Sequence, residues 1–144
     1  MWTNDVILLN CYNVYMEATT TSIGRLGESV AVDFLLSRGF TIRERNFQRP
    51  YGELDIIASK EELVFVEVKS VRCRIPEGLP KEGSNTYRPE ENVSHGKRER
   101  LRRIIQVYLD THKISGDWRC DLLCVFLDTE QQVARVKWLQ NIIV

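Results

Sequence analysis

The chain of 144 residues carries 20 Lys+Arg against 20 Asp+Glu, a formal net charge of zero, with 43% hydrophobic and 28% charged residues. That length suits one soluble globular domain with a sizeable core, and the balance excludes a disordered or fibrous chain, a wholesale basic coat and an acidic tail. The zero is only a sum: residues 1–68 hold 6 basic and 10 acidic side chains, 69–103 hold 10 and 5, and 104–144 hold 4 and 5.

Residues 1–21 read as an N-terminal extension, either loosely attached or adding a strand at Val6–Leu9. They lack the positive start of a signal peptide, and no apolar run approaches the roughly 20 residues of a membrane span. Met16 is an alternative start, because the strong pattern begins just after it. From residue 22 to 144 a single domain is expected. Thr21 or Ser22 caps a helix running to about Arg38, with Gly39 as its terminator. Three strand-like runs follow, at about 40–47, 53–59 and 63–71. Residues 72–95 hold Pro76, Pro80 and Pro89 with Gly78 and Gly83, and read as a long loop. A second helix spans about Ser94–His112, its apolar face formed by Leu101, Ile104, Ile105, Tyr108 and Leu109. Two more strands, about 118–127 and 133–139, close the chain. The order α-β-β-β-α-β-β implies an α/β fold with a mixed sheet flanked by helices.

The four cysteines, Cys11, Cys73, Cys120 and Cys124, form no CxxC pair and read as reduced thiols of a cytoplasmic protein. Cys120 and Cys124 share one strand face, but a zinc site would need two further ligands. His95 and His112 are the only histidines, and loop or helix-surface positions explain them more simply.

On the first helix, Glu28 falls inside the apolar arc of Ile23, Leu26, Val30, Ala31, Phe34 and Leu35. A carboxylate there is costly unless it is paired or binds a metal. A buried salt bridge and a functional site both satisfy that requirement. In strands, residues two apart share a face, which groups Glu53 with Asp55 and Ile57, and Phe65 with Glu67 and Lys69. A hairpin turning at Lys60-Glu61-Glu62 would set Asp55 opposite Glu67 and Glu53 opposite Lys69. Opposed carboxylates repel, and a divalent cation such as Mg²⁺ removes the conflict while binding phosphate oxygens. Lys69 would orient an attacking water or stabilise developing negative charge. The alternative is an exposed, charged hairpin face. The apolar neighbours DIIA and LVFV speak for central strands, and so for a site.

Lys97–Arg103 (KRERLRR) adds five basic residues to one acidic, and Arg72 and Arg74 lie just beyond Lys69. These residues suit a phosphate backbone. Taken alone, they suit a solvated amphipathic helix slightly better. Tyr51 and Tyr87 are loop aromatics, and no clear platform for stacked bases stands out.

Asp55 followed by Glu67-Val68-Lys69 resembles the PD…(D/E)xK motif of restriction-endonuclease-like nucleases. Glu28 resembles the first-helix glutamate of archaeal Holliday-junction resolvases. GRLGESVAVDFLLSRGF (24–40), NFQRPYGELDIIA (46–58), FVEVKSVR (65–72), KRERLRRIIQVYL (97–109) and RCDLLCVFL (119–127) resemble the bacterial YraN-like family of predicted endonucleases. The resemblance covers roughly residues 22–130, with Leu54 where the motif name has proline.

It implies a restriction-endonuclease-like core and Mg²⁺-dependent phosphodiester hydrolysis, with Mn²⁺ as a substitute. The implied substrate is nucleic acid, with branched or flap DNA suggested by the resolvase analogy. Asp55 and Glu67 would be metal ligands, Lys69 the catalytic lysine, Glu28 the accessory acid, and Glu53 a further ligand or outer contact. Arg72, Arg74, Lys97, Arg98 and Arg103 would hold the backbone. A homodimer would place two sites on two strands, although the sequence shows no interface. Two rivals remain: a nuclease fold that binds nucleic acid or a protein partner without cutting, and a scaffold with a solvated charged hairpin.

Overall fold

The computed structural model describes residues 6–9, 12, 20–74, 93–142 and 144. Cys11, Met16, Tyr87 and most of the 72–95 loop lie outside them. The chain enters through β1 (Ile7–Leu8), a two-residue strand. Leu9, just after it, is fully buried. The apolar arc read from the sequence then builds α1 (Thr20–Ser37), which buries Ile23, Val30, Ala31, Phe34 and Leu35. Gly39 ends it at φ 86°, with Gly39 N bonded to Leu36 O and Phe40 N to Leu35 O. That pair of bonds is the left-handed glycine cap of a helix C-terminus.

Three antiparallel strands follow: β2 (Thr41–Arg49), β3 (Gly52–Ser59) and β4 (Leu63–Arg72). Beyond the loop, α2 (His95–Thr111) starts at the N-cap Ser94, whose side chain accepts from Lys97 N at 3.2 Å. It buries Leu101, Ile104, Ile105, Tyr108 and Leu109, the face expected from spacing. β5 (Trp118–Asp128) then pairs in parallel with β4, and β6 (Val133–Leu139) pairs antiparallel with β5. Among the described residues the sheet has six strands, in the order β1-β6-β5-β4-β3-β2. The extension therefore supplies an edge strand, β1, against β6.

Both sheet faces are covered, so the central strands are apolar on both sides. Val30, Phe34 and Leu35 of α1 pack on Ile56, Val64, Val66, Leu123 and Val125. On the other face, Leu101, Ile104, Ile105 and Tyr108 of α2 pack on Phe47, Leu54, Ile57 and Phe65. Cys120 belongs to this second core, and burial with the charge of Glu67 pushes its thiol up to about 12. It is an un-ionised core side chain. Cys73, Cys120 and Cys124 form no disulfide with one another. No helix among the described residues is long and apolar enough to cross a membrane.

Candidate active site

The hairpin of β3 and β4 turns at residues 60–62, with pairs Ser59–Leu63, Ala58–Val64, Ile57–Phe65 and Ile56–Val66. That is the register read from the sequence, but the ladder stops at Ile56–Val66. Asp55 and Glu67 are not a ladder pair, and neither are Glu53 and Lys69. Strict alternation fails at Asp55. Leu54 packs in the α2-side core and Ile56 in the α1-side core, although residues two apart should share a face. Asn46, the residue of β2 between the pairs Arg45–Ile56 and Phe47–Leu54, takes φ 53°. The Asp55 carboxylate reaches β4, where Oδ2 accepts from Val68 N at 2.9 Å.

Glu53 does not meet Lys69. It accepts from Gln48 Nε2 on β2 at 2.9 Å. Glu28 approaches from α1 because Gly27 beside it has no side chain. A Cβ there would lie 1.8 Å from Ser70 Oγ and 2.7 Å from Ser70 Cβ. Glu28, Glu53, Asp55 and Glu67 thus converge closely enough to act on one another electrostatically. Burial, the charges of Glu67, Glu28 and Glu53, and an opposing hydrogen bond from Val68 leave Asp55 pushed up to about 8. Glu28 is also raised, first by burial and then by Glu53 and Glu67, against the charge of Arg45 and a hydrogen bond from Asn46. Its Oε1 is buried without a hydrogen-bond partner.

Hard oxygen donors, mutual repulsion and an orphaned buried carboxylate oxygen fit a Mg²⁺ or Mn²⁺ ion. Among the described residues, no three His, Cys, Asp or Glu side chains are already gathered tightly enough to enclose one. Mg²⁺ does not require that, since one or two carboxylates with waters and phosphate oxygens suffice. Asp55 and Glu67 would be the two, with Glu28 and Glu53 beside them.

The basic residues divide. Lys97 Nζ stands 2.6 Å from Glu67 Oε1. With Arg100, Tyr51, Glu53 and Glu67, it lines a cleft of about 360 Å³. Lys69 is exposed two residues beyond Glu67 on β4. Arg72 is exposed at the end of β4, and Arg74 pairs with Glu130 at 3.8 Å, both side chains largely in solvent. Arg98 and Arg103 are exposed on α2, and Arg103 is turned about 240° around the helix from Lys97. Neither lines the cleft. Residue-by-residue reading missed Arg45 and Asn46, the α1 contact of Gly27, and the grip of Lys97 on Glu67. A usable signal was present for one of them, since asparagine inside a strand is a frequent choice where φ turns positive.

The family model described as "Uncharacterised protein family UPF0102" matches residues 27–125, a span running from Gly27 past all four carboxylates into β5. A UPF0102 protein of Moorella thermoacetica is 37% identical over 129 residues, 88% of this chain and 98% of that protein. One of Dictyoglomus turgidum is 36% identical over 121 residues, 83% and 94%. One of Campylobacter jejuni is 37% identical over 109 residues, 75% and 87%. With Glu28, Asp55 and the Glu67–Lys69 strand inside the matched span, the chain belongs to the UPF0102, or YraN-like, family.

Proposed function

We propose that this protein is a cytoplasmic metal-dependent nuclease that hydrolyses phosphodiester bonds in nucleic acid, most readily in branched or flap DNA. The observation that carries the reading is the meeting of Glu28, Glu53, Asp55 and Glu67, with Asp55 raised to about 8 and Glu28 Oε1 buried and unpartnered. A fold gains nothing from such repulsion, whereas a site that receives a cation does. The bound ion would offset charge on the scissile phosphate.

Asp55 and Glu67 would hold that ion, and the Val68 N–H holds the Asp55 carboxylate against the strand that carries Glu67. Glu28 adds negative charge from α1, oriented by Asn46 and partly balanced by Arg45. Lys69, exposed beside Glu67, orients the attacking water and meets the developing negative charge. Arg72, Arg98 and Arg103 supply exposed charge for the backbone outside the cleft.

The contact between Lys97 and Glu67 favours a second reading. It neutralises one acid without any metal, as a non-catalytic binding module would allow. Cleavage of labelled duplex, flap and four-way-junction DNA with Mg²⁺ or Mn²⁺ separates the two. The nuclease reading expects cleavage that Asp55→Ala and Lys69→Ala abolish. Salt-sensitive binding without cleavage would support the module.

A further inference from the structure

The ammonium of Lys97 lies 2.6 Å from Glu67 Oε1, closer than in any other ion pair described. The Glu67 side chain is only 12% exposed, and the Lys97 side chain 39%. A carboxylate so withdrawn from water, with Asp55 and Glu28 acting on it, needs a compensating cation. Lys97 supplies one from the first turn of α2, fixed there by Ser94 at the cap and by Leu101 and Ile104 in the core below. A divalent ion on Glu67 would do the same with twice the charge. Two cations cannot share one carboxylate oxygen at that separation without strong repulsion. The open side of Lys97 is the cleft of about 360 Å³ that it lines with Tyr51 and Arg100.

We propose that Lys97 is a resident counter-cation of the candidate site: it holds Glu67 while no metal does, yields that oxygen as a divalent ion binds, and then presents its ammonium in the cleft to a phosphate of the nucleic acid. The proposal rests on the metal-site reading above and adds a coupling to it. Lys97 opposes metal binding in the free protein and favours backbone binding in the loaded one. Metal and nucleic acid therefore help each other bind through Lys97, in addition to any phosphate contact of the ion itself. By linkage the help is mutual.

Calorimetric titration of the full chain with Mn²⁺ at low salt tests the first half, using wild type, Lys97→Met, Lys97→Arg and Glu67→Gln. Lys97→Met should bind Mn²⁺ about tenfold tighter than wild type, within the range of ordinary coupling. Lys97→Arg, which keeps the charge, should stay near wild type, and Glu67→Gln should lose binding. A loss of packing alone would not tighten metal binding. Lys97→Gln repeats the test should the Met variant fold poorly.

Anisotropy of a labelled flap DNA, with and without Ca²⁺, tests the second half. Ca²⁺ should strengthen binding to wild type severalfold and to Lys97→Met much less. Equal or weaker Mn²⁺ binding by Lys97→Met and Lys97→Gln would overturn the proposal and leave the metal site standing. An equal response of both proteins to Ca²⁺ would overturn the second half. If wild type and every variant fail to bind Mn²⁺, the metal-site reading itself falls, and the proposal with it.

Discussion

The Asp55 carboxylate takes the Val68 N–H, at 2.9 Å, at the place where the β3–β4 ladder ends. A side-chain acceptor replaces a backbone carbonyl there. The carboxylate is thereby stitched to the strand that carries Glu67 and Lys69. The acid is positioned by main chain from one side and repelled by other acids from the rest.

Stability of the metal-free protein should therefore fall as pH rises. Asp55 has an ordinary carboxylate affinity near 3.8 when unfolded and is pushed up to about 8 when folded, by burial first and then by Glu67. Between those values the native state binds a proton that the unfolded state has lost, so unfolding free energy declines with pH and levels off above about 8. Asp55→Asn removes this dependence and should be more stable than wild type at pH 8, by on the order of a few kcal/mol. Urea unfolding in chelator from pH 4.5 to 9 reads both slopes. Parallel curves for the two proteins would refute the assignment. Mn²⁺ at pH 8 should restore stability to wild type but much less to Asp55→Asn.

Gly27 sets how closely α1 approaches β4. Rotating the Ser70 hydroxyl away relieves the contact at 1.8 Å but leaves the Ser70 Cβ at 2.7 Å from the new methyl. Gly27→Ala should cost about 1–3 kcal/mol, the usual cost of overpacking, and should move Glu28 away from the other acids. Ser70→Gly in the same chain should recover most of the loss. Denaturant midpoints of the single and double variants give the first measurement. Mn²⁺ affinity, weakened in Gly27→Ala and regained in the double variant, gives the second.

Asp121 shows what a carboxylate looks like when the fold uses it. It is fully buried. It accepts from Arg119 Nε at 3.0 Å, Trp138 Nε1 at 3.0 Å and Asn141 N at 2.8 Å, while Arg119 reaches on to Glu62 at 3.0 Å. Every group facing it is a donor, whereas Glu28 keeps an oxygen with none. Asp121→Asn would turn an NH₂ toward those donors and should cost on the order of 3 kcal/mol, the scale for breaking a buried ion pair. Trp138 fluorescence should report the loosened indole, while Mn²⁺ affinity stays unchanged. Altered Mn²⁺ affinity in a variant that still folds would show that the two sets of acids are linked.

The fold was legible because burial imposes periods. Alternation and apolar runs marked β3 to β6, and helical spacing marked the buried face of α2, with boundaries within a residue or two. The hairpin register followed from a three-residue turn. The change of face between Leu54 and Ile56 was not legible, because period-two reasoning assumes a regular strand, and on β2 alongside it Asn46 takes a positive φ. That assumption put Glu53 opposite Lys69, while Glu53 pairs with Gln48 across β2 and the β3–β4 ladder ends before it. The contact of Lys97 with Glu67 joins residues on either side of the long loop, and only the packing of α2 on the sheet brings them together. Glu28 was visible as a misfit in an apolar arc, but its neighbours Arg45 and Asn46 come from another strand. Local pattern names the acids, and tertiary packing decides which groups answer them.

The first residues test how much of the chain the fold needs. Leu8 pairs with Val133 and Leu9 is 0% exposed, inside the core that α1 forms with β3 to β6. Leu9 N also donates to Gln132 O at 2.8 Å, and the Tyr12 hydroxyl donates to Asp33 on α1. A segment that buries a leucine this fully works as part of the core. Leu9→Ala should cost roughly 2–4 kcal/mol through lost contacts and a cavity. A chain begun at Met16 lacks both the leucine and the edge strand, and should unfold at a denaturant midpoint at least as low as that of Leu9→Ala. Equilibrium unfolding of the three proteins decides the point. A shortened chain as stable as the full one would mean that Leu9 fills a space the core closes without it.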